Sequence, residues 1–439
     1  MPASSSPPPL DVLISGSGIA GPCFAYWLNR LLPSSQITVV ERSPEPRLGG
    51  QAVDLRSSCL PIVKKMGLLD KVKQYNTTEV GMQFVYRDGK RRATFEATGE
   101  EERQSATSEY EILRGDMARI VYEATKDNPN ITFVFGDMIT EIEEKDNNKV
   151  EVTFKNKLPK KQYNLVVGAD GQMSRTRRLV FGHGPNNDDY LYRLGQYSAL
   201  FTMPRDPTDT NYAQWYNASR GRLFLLRPDQ YGTTRAYIAV TDSNLSRFDE
   251  IDRLHKNGTR EEQQAWFENE FKDAGFQAER CIREMKRADD FYMQQIAQVK
   301  MDTWVKDHVA LIGDAAYCPS PISGVESDMK QGTGAGIVGA YILAGELSRS
   351  PNDIPSALAN YERITRQYVD KAQRLIPGAP QIANPQTEWG ISLFNTVTGV
   401  LSHPFVQRFS GVVGKVIPAF GTTKAWAPPD YKAEEGVSL

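Results

Sequence analysis

Residues 11–42 read DVLISGSGIAGPCFAYWLNRLLPSSQITVVER, in which a short apolar run, a glycine turn, a periodic apolar stretch and a β-branched run follow one another. This order predicts a strand, a turn, a helix and a second strand. The turn holds a G-x-G-x-x-G pattern at Gly16, Gly18 and Gly21, and Glu41 ends the second strand 25 residues after Gly16. Such a turn, with an acid at the next strand end, is typical of a dinucleotide-binding βαβ unit.

Each glycine has a separate physical task in such a unit. Gly16 permits the tight turn, Gly18 lets the backbone approach a pyrophosphate, and Gly21 lets the helix pack closely on the strand. The helix N-terminus then faces the phosphate charge, and Glu41 can accept hydrogen bonds from ribose hydroxyl groups. The alternative interpretation is an ordinary tight turn between a strand and a helix.

A second G-x-G-x-x-G pattern, at Gly334, Gly336 and Gly339, follows no strand and therefore predicts no second Rossmann unit. Two buried-strand patterns, NLVVGADG (164–171) and DHVALIGDAA (307–316), instead return the chain to the first sheet. These features predict an α/β protein that holds one dinucleotide tightly.

The region between these two returns differs in character. It carries aromatic-rich strand patterns and a helical pattern near 260–287, which predict a second, mainly β domain. We also expect a hairpin over 82–97, with Asp88-Gly89 at its tip, and a helix over 112–127. Aromatic side chains of the second domain could line a substrate pocket, although aromatic residues on strands more often form an ordinary core. The candidates are Tyr212, Trp215, Tyr216, Phe224 and Tyr237.

Composition narrows the possible partners. The chain has 439 residues, enough for two or three domains, and its 52 basic and 54 acidic residues nearly balance. Such a surface gives no electrostatic reason to bind nucleic acid or an anionic membrane. A membrane span needs roughly 18 consecutive apolar residues. No run of that length occurs, so we predict no transmembrane segment.

The cysteines and histidines predict neither a disulfide framework nor a metal site. The four cysteines are widely scattered without a C-x-x-C pair, which favours a reducing compartment. The N-terminus lacks the features of a secretory signal, and we therefore expect a cytoplasmic protein. The four histidines lack the spacing of metal ligands.

Three motifs, in this order along the chain, resemble those of a known enzyme family. They read GSGIAG (16–21) with ERSPEPRLGGQAVDLR (41–56), LVVGADGQMSRTRR (165–178) and HVALIGDAAYCPSPISG (308–324). The set resembles the p-hydroxybenzoate-hydroxylase-like (group A, single-component) FAD-dependent monooxygenases. Within that family the chain looks most similar to fungal secondary-metabolite hydroxylases and tetracycline-modifying flavin monooxygenases.

The resemblance implies an α/β fold with three parts: a Rossmann-type FAD-binding domain, an inserted, mainly β substrate domain and a helical C-terminal tail. The expected boundaries are 1–10 for a disordered leader; 11–80, 105–185 and 300–350 for the discontinuous FAD-binding domain; 81–104 and 186–299 for the substrate domain; and 351–439 for the helical C-terminal segment.

The resemblance also implies which residues hold FAD, tightly and without a covalent bond. The glycines and Glu41 of the first motif correspond to contacts of the ADP half. Arg114 matches an arginine that reaches the flavin or its phosphates, and Asp170 matches the Asp-Gly motif near the pyrophosphate. Asp314 corresponds to the acceptor from the ribityl chain, and Gly324 allows close backbone approach to the ring.

Two further residues are implied by position alone. Arg47 matches a residue that meets NAD(P)H in some relatives, and Asp54 is expected near the flavin ring. For three of these side chains a plainer role is open: Arg47 as a lone exposed arginine, Arg114 as a helix-surface arginine, and Asp170 as a helix N-cap. The full set of expected cofactor contacts is Gly16, Gly18, Gly21, Glu41, Arg47, Asp54, Arg114, Asp170, Asp314 and Gly324.

For the activity, the resemblance implies an NAD(P)H-dependent monooxygenase. NAD(P)H reduces FAD and leaves, and O2 then forms a flavin hydroperoxide that hydroxylates an aromatic or polyketide-derived small molecule of secondary metabolism. No side chain stands out as catalytic, as expected where the cofactor carries the chemistry. The sequence identifies neither the substrate, nor the position of oxygen insertion, nor NADH against NADPH. A monomer and a homodimer are both open.

Two alternatives stay open. One is another FAD oxidoreductase, such as an epoxidase, a Baeyer–Villiger-type enzyme or a dehydrogenase. The other is a catalytically impaired flavin-binding protein, because VESDMK (325–330) interrupts the glycine-rich run where the family continues directly into a helix. Buried charges need partners, so we expect this segment to loop out to solvent; an imperfect gene model is the other explanation. Tyr317 also stands where the family has a histidine.

Overall fold

The structure is a computed structural model, which describes residues 9–47, 49–96, 110–320, 332–375, 378–403 and 426–432. Gly324, the VESDMK segment (325–330) and residues 1–8 of the expected leader lie outside the described residues. Leu10, which the sequence assigned to the leader, is buried in the largest hydrophobic cluster.

Strands of the described ranges form four sheets. In chain order they are β1 (Asp11–Ser15), β2 (Gln36–Glu41), β3 (Ala52–Asp54), β4 (Gly81–Val85), β5 (Arg91–Glu96), β6 (Glu111–Leu113), β7 (Ile131–Phe135), β8 (Ile139–Lys145), β9 (Lys149–Phe154), β10 (Lys161–Tyr163), β11 (Leu165–Gly168), β12 (Leu191–Pro204), β13 (Ala213–Ala218), β14 (Arg222–Pro228), β15 (Thr233–Thr241), β16 (Tyr292–Val299), β17 (Val305–Lys306) and β18 (Val309–Leu311).

The α-helices lie between and after these strands. They are α1 (Ala20–Leu31), α2 (Leu60–Lys65), α3 (Leu69–Gln74), α4 (Arg114–Glu123), α5 (Arg175–Phe181), α6 (Asp249–Asn257), α7 (Arg260–Phe271), α8 (Ala278–Arg287), α9 (Asp314–Tyr317), α10 (Gly332–Arg349), α11 (Ile354–Ala372), α12 (Ala379–Ala383) and α13 (Glu388–Leu401). None of the described helices is both long and apolar enough to cross a membrane.

A six-stranded sheet carries the first motif and both predicted returns. Its strand order is β17-β18-β11-β1-β2-β7, and every neighbouring pair except β17 with β18 is parallel. β1 is apolar and almost fully buried, as expected of a central strand covered on both faces. Val12 and Ile14 share a hydrophobic cluster with α1, and Leu13 shares one with the three-stranded sheet β8–β10 on the other face. The carboxyl ends of β1, β11 and β18 therefore meet at one edge of the sheet, the usual place for a ligand. The predicted α/β, Rossmann-type fold is confirmed.

A seven-stranded sheet, in the order β16-β12-β15-β14-β13-β4-β5, joins strands that are distant in the chain. One face packs on α6, α7 and α8 through a hydrophobic cluster that includes Phe224, Ile238 and Phe267. Because side chains alternate along a strand, the residues between these point to the opposite face, here called the cleft face. Its members include Ser198, Leu200, Thr202, Trp215, Asn217, Leu223, Leu225, Arg227, Arg235, Tyr237, Ala239, Tyr292 and Gln294.

A two-stranded ribbon corrects the predicted helix over 112–127. Residues Glu111–Leu113 form β6, antiparallel to β3, and α4 begins only at Arg114. All three residues of β6 are buried, so tertiary pairing overrides the helical pattern. The single predicted helix near 260–287 is likewise two helices, broken where Gly275 and Phe276 both have positive φ.

The C-terminal segment contacts the seven-stranded sheet directly and the helices that cover the six-stranded sheet. α13 packs on β13 and β5, where Phe394 and Phe84 form an edge-on aromatic pair. Residues 426–432 contact the helices around the six-stranded sheet. The Tyr431 ring lies where a Cβ at Gly345 would be, 2.3 Å from the nearest ring atom, and its hydroxyl donates to Glu346. The predicted domain boundaries themselves stay a prediction.

Candidate functional site

Of the three glycines in the turn between β1 and α1, two have no room for a side chain and one has. A Cβ at Gly16 would lie 2.5 Å from the carbonyl oxygen of Ala169, and one at Gly21 would lie 2.1 Å from the carbonyl oxygen of Gly16. Gly16 also has a φ of +112°, which disfavours any side chain. At Gly18 no heavy atom lies within 4 Å of the corresponding point. Two glycines thus close the turn, and the third faces open space.

Two groups of donors at this turn are available to a ligand: the first amide groups of α1 and the Ser17 hydroxyl. α1 begins without a side-chain cap at Ile19, so the amide groups of its first turn face outward and favour an anion. The hydroxyl oxygen of Ser17 is buried and has no hydrogen-bond partner. A pyrophosphate would satisfy both sets of donors.

Glu41 is tied directly to the glycine turn. Its Oε2 accepts from the backbone N–H of Ser17 at 3.0 Å, and its Oε1 accepts from Ser43 N–H and from Arg47, each at 2.9 Å. Burial raises the pKa of Glu41, but the hydrogen bonds from Ser43 and Ser17 and the Arg47 charge outweigh it and lower the pKa overall. Arg47, expected to meet NAD(P)H, is here the partner of the carboxylate expected to hold the ribose.

Asp170 organises the turn beneath the glycines. Its carboxylate accepts from the Ser174 hydroxyl, and from the backbone N–H and hydroxyl of Thr176 at 2.9 and 3.0 Å. A Cβ at Gly16 would lie 2.9 Å from the Asp170 Cα. The N-cap of α5 is Ser174 and not Asp170. Asp170 therefore shapes the wall of the site, with its carboxylate already committed to neighbours.

Arg177 connects two of the motifs and was missed by sequence reasoning. Its guanidinium is fully buried and donates to the carbonyl oxygens of Ala315 at 2.8 Å and Gln172 at 2.6 Å. Burial lowers the pKa of Arg177 to about 10, still cationic at neutral pH. It holds α5 against α9, whose first residue is Asp314. Its position within SRTRR gave no signal that distinguished it from the neighbouring arginines.

Asp314 and Arg114 come together from distant parts of the chain. Asp314 follows Gly313, which has a φ of +62°, at the end of β18, and the carboxylate lies 3.8 Å from Arg114 Nη2. The Arg114 side chain is 49% exposed, so it can still reach a ligand. Burial, with the Asp314 charge as a smaller cause, raises the pKa of the Cys318 thiol, one turn after Asp314, well above its usual value.

Asp54 lies at the end of β3, on the two-stranded β3–β6 ribbon. It is paired across the ribbon with Glu111 and forms an ion pair with Arg56, while one carboxylate oxygen is buried without a partner. The Gln51 side-chain oxygen, at the start of the ribbon, is likewise buried without a partner. These two acceptors, like the Ser17 hydroxyl, are polar atoms that a bound ligand can satisfy.

The site just described matches one protein family along most of the chain. Residues 9–373 match the FAD binding domain family. The chain belongs to that family. It is an FAD-dependent monooxygenase, and the resemblance to the p-hydroxybenzoate-hydroxylase-like enzymes is confirmed.

Relatives of the FAD binding domain family agree along nearly their whole length. Monooxygenase CTB7 of Cercospora beticola is 34% identical over 404 residues, covering 90% of this chain and 93% of that protein. The FAD-dependent monooxygenase asL6 of Sarocladium schorii is 33% identical over 437 residues, covering 96% and 98%. Among solved structures, tetracycline destructase Tet(51) has a TM-score of 0.70 at 28% identity, covering 90% of this chain and 100% of that one.

The residues present fit FAD. The open space at Gly18, the uncapped α1 and the unpartnered Ser17 hydroxyl suit a pyrophosphate. Asp314, at the carboxyl end of a central strand, suits an acceptor for the ribityl hydroxyl groups. Arg47, Asp54 and the other expected contacts stay predictions as individual contacts.

The cleft face of the seven-stranded sheet looks toward this cofactor site. Its near end meets the ribbon, where Arg227 binds Glu111, and its far end is covered by the C-terminal segment, where the Asn217 amide donates to Asn384. Of the predicted pocket residues, Trp215 and Tyr237 lie on the cleft face. Three others do not: Tyr216 and Phe224 face the helices, and the Tyr212 hydroxyl binds Glu96 at the edge of the sheet.

The histidine position of the family is filled by a core side chain. The Tyr317 hydroxyl lies 3.2 Å from that of Tyr361, which donates to the Leu311 carbonyl oxygen. A Cβ at Gly339 would lie 1.8 Å from the Tyr317 hydroxyl, so glycine there makes room for the tyrosine. The described part of the chain contains no cluster of three or more metal-binding side chains.

Proposed function

We propose that this enzyme uses NAD(P)H and O2 to hydroxylate an aromatic or polyketide-derived small molecule of secondary metabolism. One oxygen atom enters a C–H bond of the substrate, and the other leaves as water. The two electrons come from NAD(P)H, which becomes NAD(P)+, with one proton taken from solvent. FAD, when bound, supplies the hydride acceptor and the activation of O2.

The observation that carries this proposal is the cleft face opposite the cofactor site. It presents Leu200, Leu225, Trp215 and Tyr237 in one row across neighbouring strands. An apolar, aromatic floor orients a planar ring and excludes water, which protects the reaction from loss of oxygen as H2O2. The named relatives from fungi are monooxygenases, which supports the choice of oxygen insertion.

The protein's own residues supply binding, orientation and charge in this scheme. The glycine turn and the α1 N-terminus would hold the pyrophosphate, Glu41 the ribose hydroxyl groups, and Asp314 the ribityl chain. Arg114 would place its cation beside the flavin or the phosphates. The Arg177 bridge between α5 and α9 would keep Asp314 in position, because its two carbonyl partners lie on either side of the site.

The test uses purified protein with FAD, NADPH, 18O2 and a panel of phenolic and polyketide metabolites. We expect a yellow protein, substrate-stimulated oxidation of NADPH, and one 18O atom in the product. Stimulated NADPH oxidation that yields only H2O2 with every compound, or a product without label, would contradict oxygen insertion. A colourless protein that cannot be loaded with FAD would favour the impaired alternative.

A further inference from the structure

Two arginines lie side by side at the near end of the cleft face. Arg227 of β14 and Arg235 of β15 are direct cross-strand neighbours. Like charges at opposed positions of a sheet repel, so each guanidinium needs its own counter-charge. A free guanidinium in this place would also be the natural partner for a carboxylate on a substrate.

Arg227 is held between two carboxylates from the cofactor side of the cleft. Its Nε lies 2.8 Å from Glu79 and its Nη2 lies 2.5 Å from Glu111. The Glu79 side chain is only 1% exposed. Burial, with a smaller contribution from the Glu79 and Asp54 carboxylates, raises the pKa of Glu111 to about 7 despite the opposing Arg227 charge. Arg227 is therefore already paired with two carboxyl groups of the protein.

Arg235 is neutralised in the same way. Its Nε lies 2.8 Å from Asp229, whose side chain is fully buried, and its Nη1 lies 3.5 Å from Asp290. Asp290 in turn accepts from the backbone N–H and the hydroxyl of Thr202. Across the cleft, Arg114 has Asp314 as its neighbour at 3.8 Å. Arg114, Arg227 and Arg235 are thus each paired with at least one carboxylate.

Two tyrosines offer hydrogen bonds of a different kind. Ser198 donates to the Tyr237 hydroxyl at 2.7 Å, and Tyr292 of β16 lies on the same face, in the row of Leu200 and Tyr237. The Tyr237 oxygen therefore accepts a hydrogen bond, and its own proton is left to donate. Burial raises the pKa of Tyr237 to about 12 and that of Tyr292 above its usual value, so both hydroxyl groups stay protonated.

We propose that the cleft selects an uncharged ring that carries hydroxyl or carbonyl oxygens, bound by the Tyr237 and Tyr292 hydroxyl groups, and that it rejects ring carboxylates. This inference rests on the proposed function and narrows its substrate class. A carboxylate entering the cleft loses its hydration, and Arg227 and Arg235, the two arginines at the near end of the cleft face, are already committed to four protein carboxylates. A neutral phenol or quinone oxygen needs only a donor, which the tyrosines supply.

The test measures binding to the FAD-loaded enzyme without NADPH, through the change that each compound causes in the visible flavin spectrum. The probes are matched pairs: 2-naphthol with 3-hydroxy-2-naphthoate, and resorcinol with 2,4-dihydroxybenzoate. We expect the neutral member of each pair to bind at least about tenfold more tightly, a difference of about 1.4 kcal/mol. A carboxylate that binds as tightly as its neutral partner overturns the proposal.

Two variants locate the preference. Tyr237→Phe removes one donor and should weaken the neutral probes several-fold, whereas Tyr212→Phe removes a hydroxyl outside the cleft and should change nothing. Asp290→Asn relieves Arg235 of one carboxylate and should narrow the gap within each pair. Equal losses in Tyr237→Phe and Tyr212→Phe would overturn the assignment to the cleft.

Failure of this inference can be told apart from failure of the proposed function. The wild-type comparison needs neither a variant nor turnover. A neutral preference without 18O incorporation keeps the selectivity and rejects hydroxylation. Incorporation of 18O into a carboxylated probe in preference to its neutral partner keeps hydroxylation and rejects the selectivity. Binding of neither class overturns the selectivity.

Discussion

Gly18 is the residue at which cofactor binding and folding separate. A side chain at Gly16 or Gly21 would collide with the protein's own backbone, whereas the space at Gly18 is open within 4 Å. A methyl group there disturbs the ligand and not the fold, because backbone approach to the pyrophosphate is the only thing it obstructs.

We therefore expect Gly18→Ala to fold normally but to bind FAD at least about tenfold more weakly, a loss of about 1.4 kcal/mol. Isothermal titration of the apoprotein with FAD, alongside its melting temperature, measures the two effects. The matched control is Gly399→Ala on α13, another glycine with nothing within 4 Å. FAD binding equal to that of the control would mean that the pyrophosphate lies elsewhere.

Tyr317 is the opposite case: a change there should affect folding and not FAD binding. Its hydroxyl is buried against Tyr361 and Gly339, neither of which is an expected contact of FAD. Tyr317→Phe should lower the free energy of unfolding by about 1 kcal/mol, the usual worth of such a hydrogen bond, and leave FAD affinity intact. Urea unfolding of the holoenzyme and FAD titration test this, with the exposed Tyr192→Phe as control. A large loss of FAD affinity would give Tyr317 a role that its position does not explain.

At the scale of single residues, the sequence predicted best where a residue type has a unique backbone task. Gly16, Gly21 and Glu41 could be placed because tight turns and strand ends leave few alternatives. Arg177 could not, since its two carbonyl partners belong to separate segments that only folding brings together. The expected contact of Arg47 with NAD(P)H stays a prediction, and its pairing with Glu41 could not be predicted because it depends on the course of the loop between them.

At the scale of elements, the β3–β6 ribbon places a titrating carboxyl group, that of Glu111, against Arg227 of the seven-stranded sheet. Glu111 has its pKa raised to about 7 by burial, despite the Arg227 charge. A carboxyl group with a raised folded-state pKa binds its proton more tightly in the folded state than in the unfolded state. Its contribution to stability is full below the unfolded value of about 4.5 and is lost as the pH rises through about 7.

Accordingly, the free energy of unfolding of the wild type should fall between pH 5 and pH 7 relative to that of Glu111→Gln, which cannot titrate. Urea titrations of both proteins at several pH values measure the difference in slope. Glu143→Gln, at an exposed carboxylate of β8, is the control and should follow the wild type. Parallel curves for wild type and Glu111→Gln would show that Glu111 titrates as it does in the unfolded chain.

The same ribbon explains why element prediction failed there. A strand of three residues is too short to show its own periodicity, and the apolar spacing of the following helix extends back over it. The hairpin with Asp88-Gly89 at its tip was predictable because its turn residues act locally, and Gly89 has the expected positive φ of +79°. The turn could be predicted from its own residues, whereas the pairing of β6 with a strand nearly 60 residues away could not.

The interrupting segment VESDMK (325–330) lies outside the described residues but belongs to the same scale. Its charged side chains would need partners if they lay against the flavin, so we expect removal of the six residues to leave FAD affinity unchanged. FAD titration and NADPH-dependent turnover of the deletion variant decide the matter. Tighter FAD binding would identify the segment as a lesion of the site, and lost turnover with FAD retained would give it a native role.

At the scale of the whole molecule, the carboxyl-terminal segment contacts the surroundings of both large sheets. α13 lies on the seven-stranded sheet, and residues 426–432 lie on α10 and its neighbours, where Tyr431 fills the hollow over Gly345. Tyr431 also bonds to Glu346, and its backbone N–H donates to the Tyr341 hydroxyl. Tyr431 is therefore part of the folded core.

Truncation of that ring should be costly for the whole protein. Tyr431→Ala is expected to lower the free energy of unfolding by about 3 kcal/mol, as for other buried aromatic residues. Asp430→Ala is the neighbouring control, because its pair with Lys65 is exposed, and exposed pairs contribute about 0–1 kcal/mol. Thermal and urea unfolding measure both. Similar small losses would mean that the tail is docked only weakly in solution.

The overall architecture was predictable because three motifs with fixed order identify a family whose fold is shared along the chain. The arrangement of the substrate side was not, because the orientation of a strand decides which of its aromatic residues face the cleft. Trp215 and Tyr216 are neighbours in sequence and point to opposite faces. A one-residue change of register would exchange them.

The packing of Tyr431 over Gly345 predicts that the residues at these two positions vary together among related proteins. A chain of this family that lost its last dozen residues would expose α10 unless a larger side chain grew into the vacated space. Among its relatives we therefore expect glycine at this position to accompany an aromatic residue near the carboxyl terminus, and bulkier residues to accompany shortened chains.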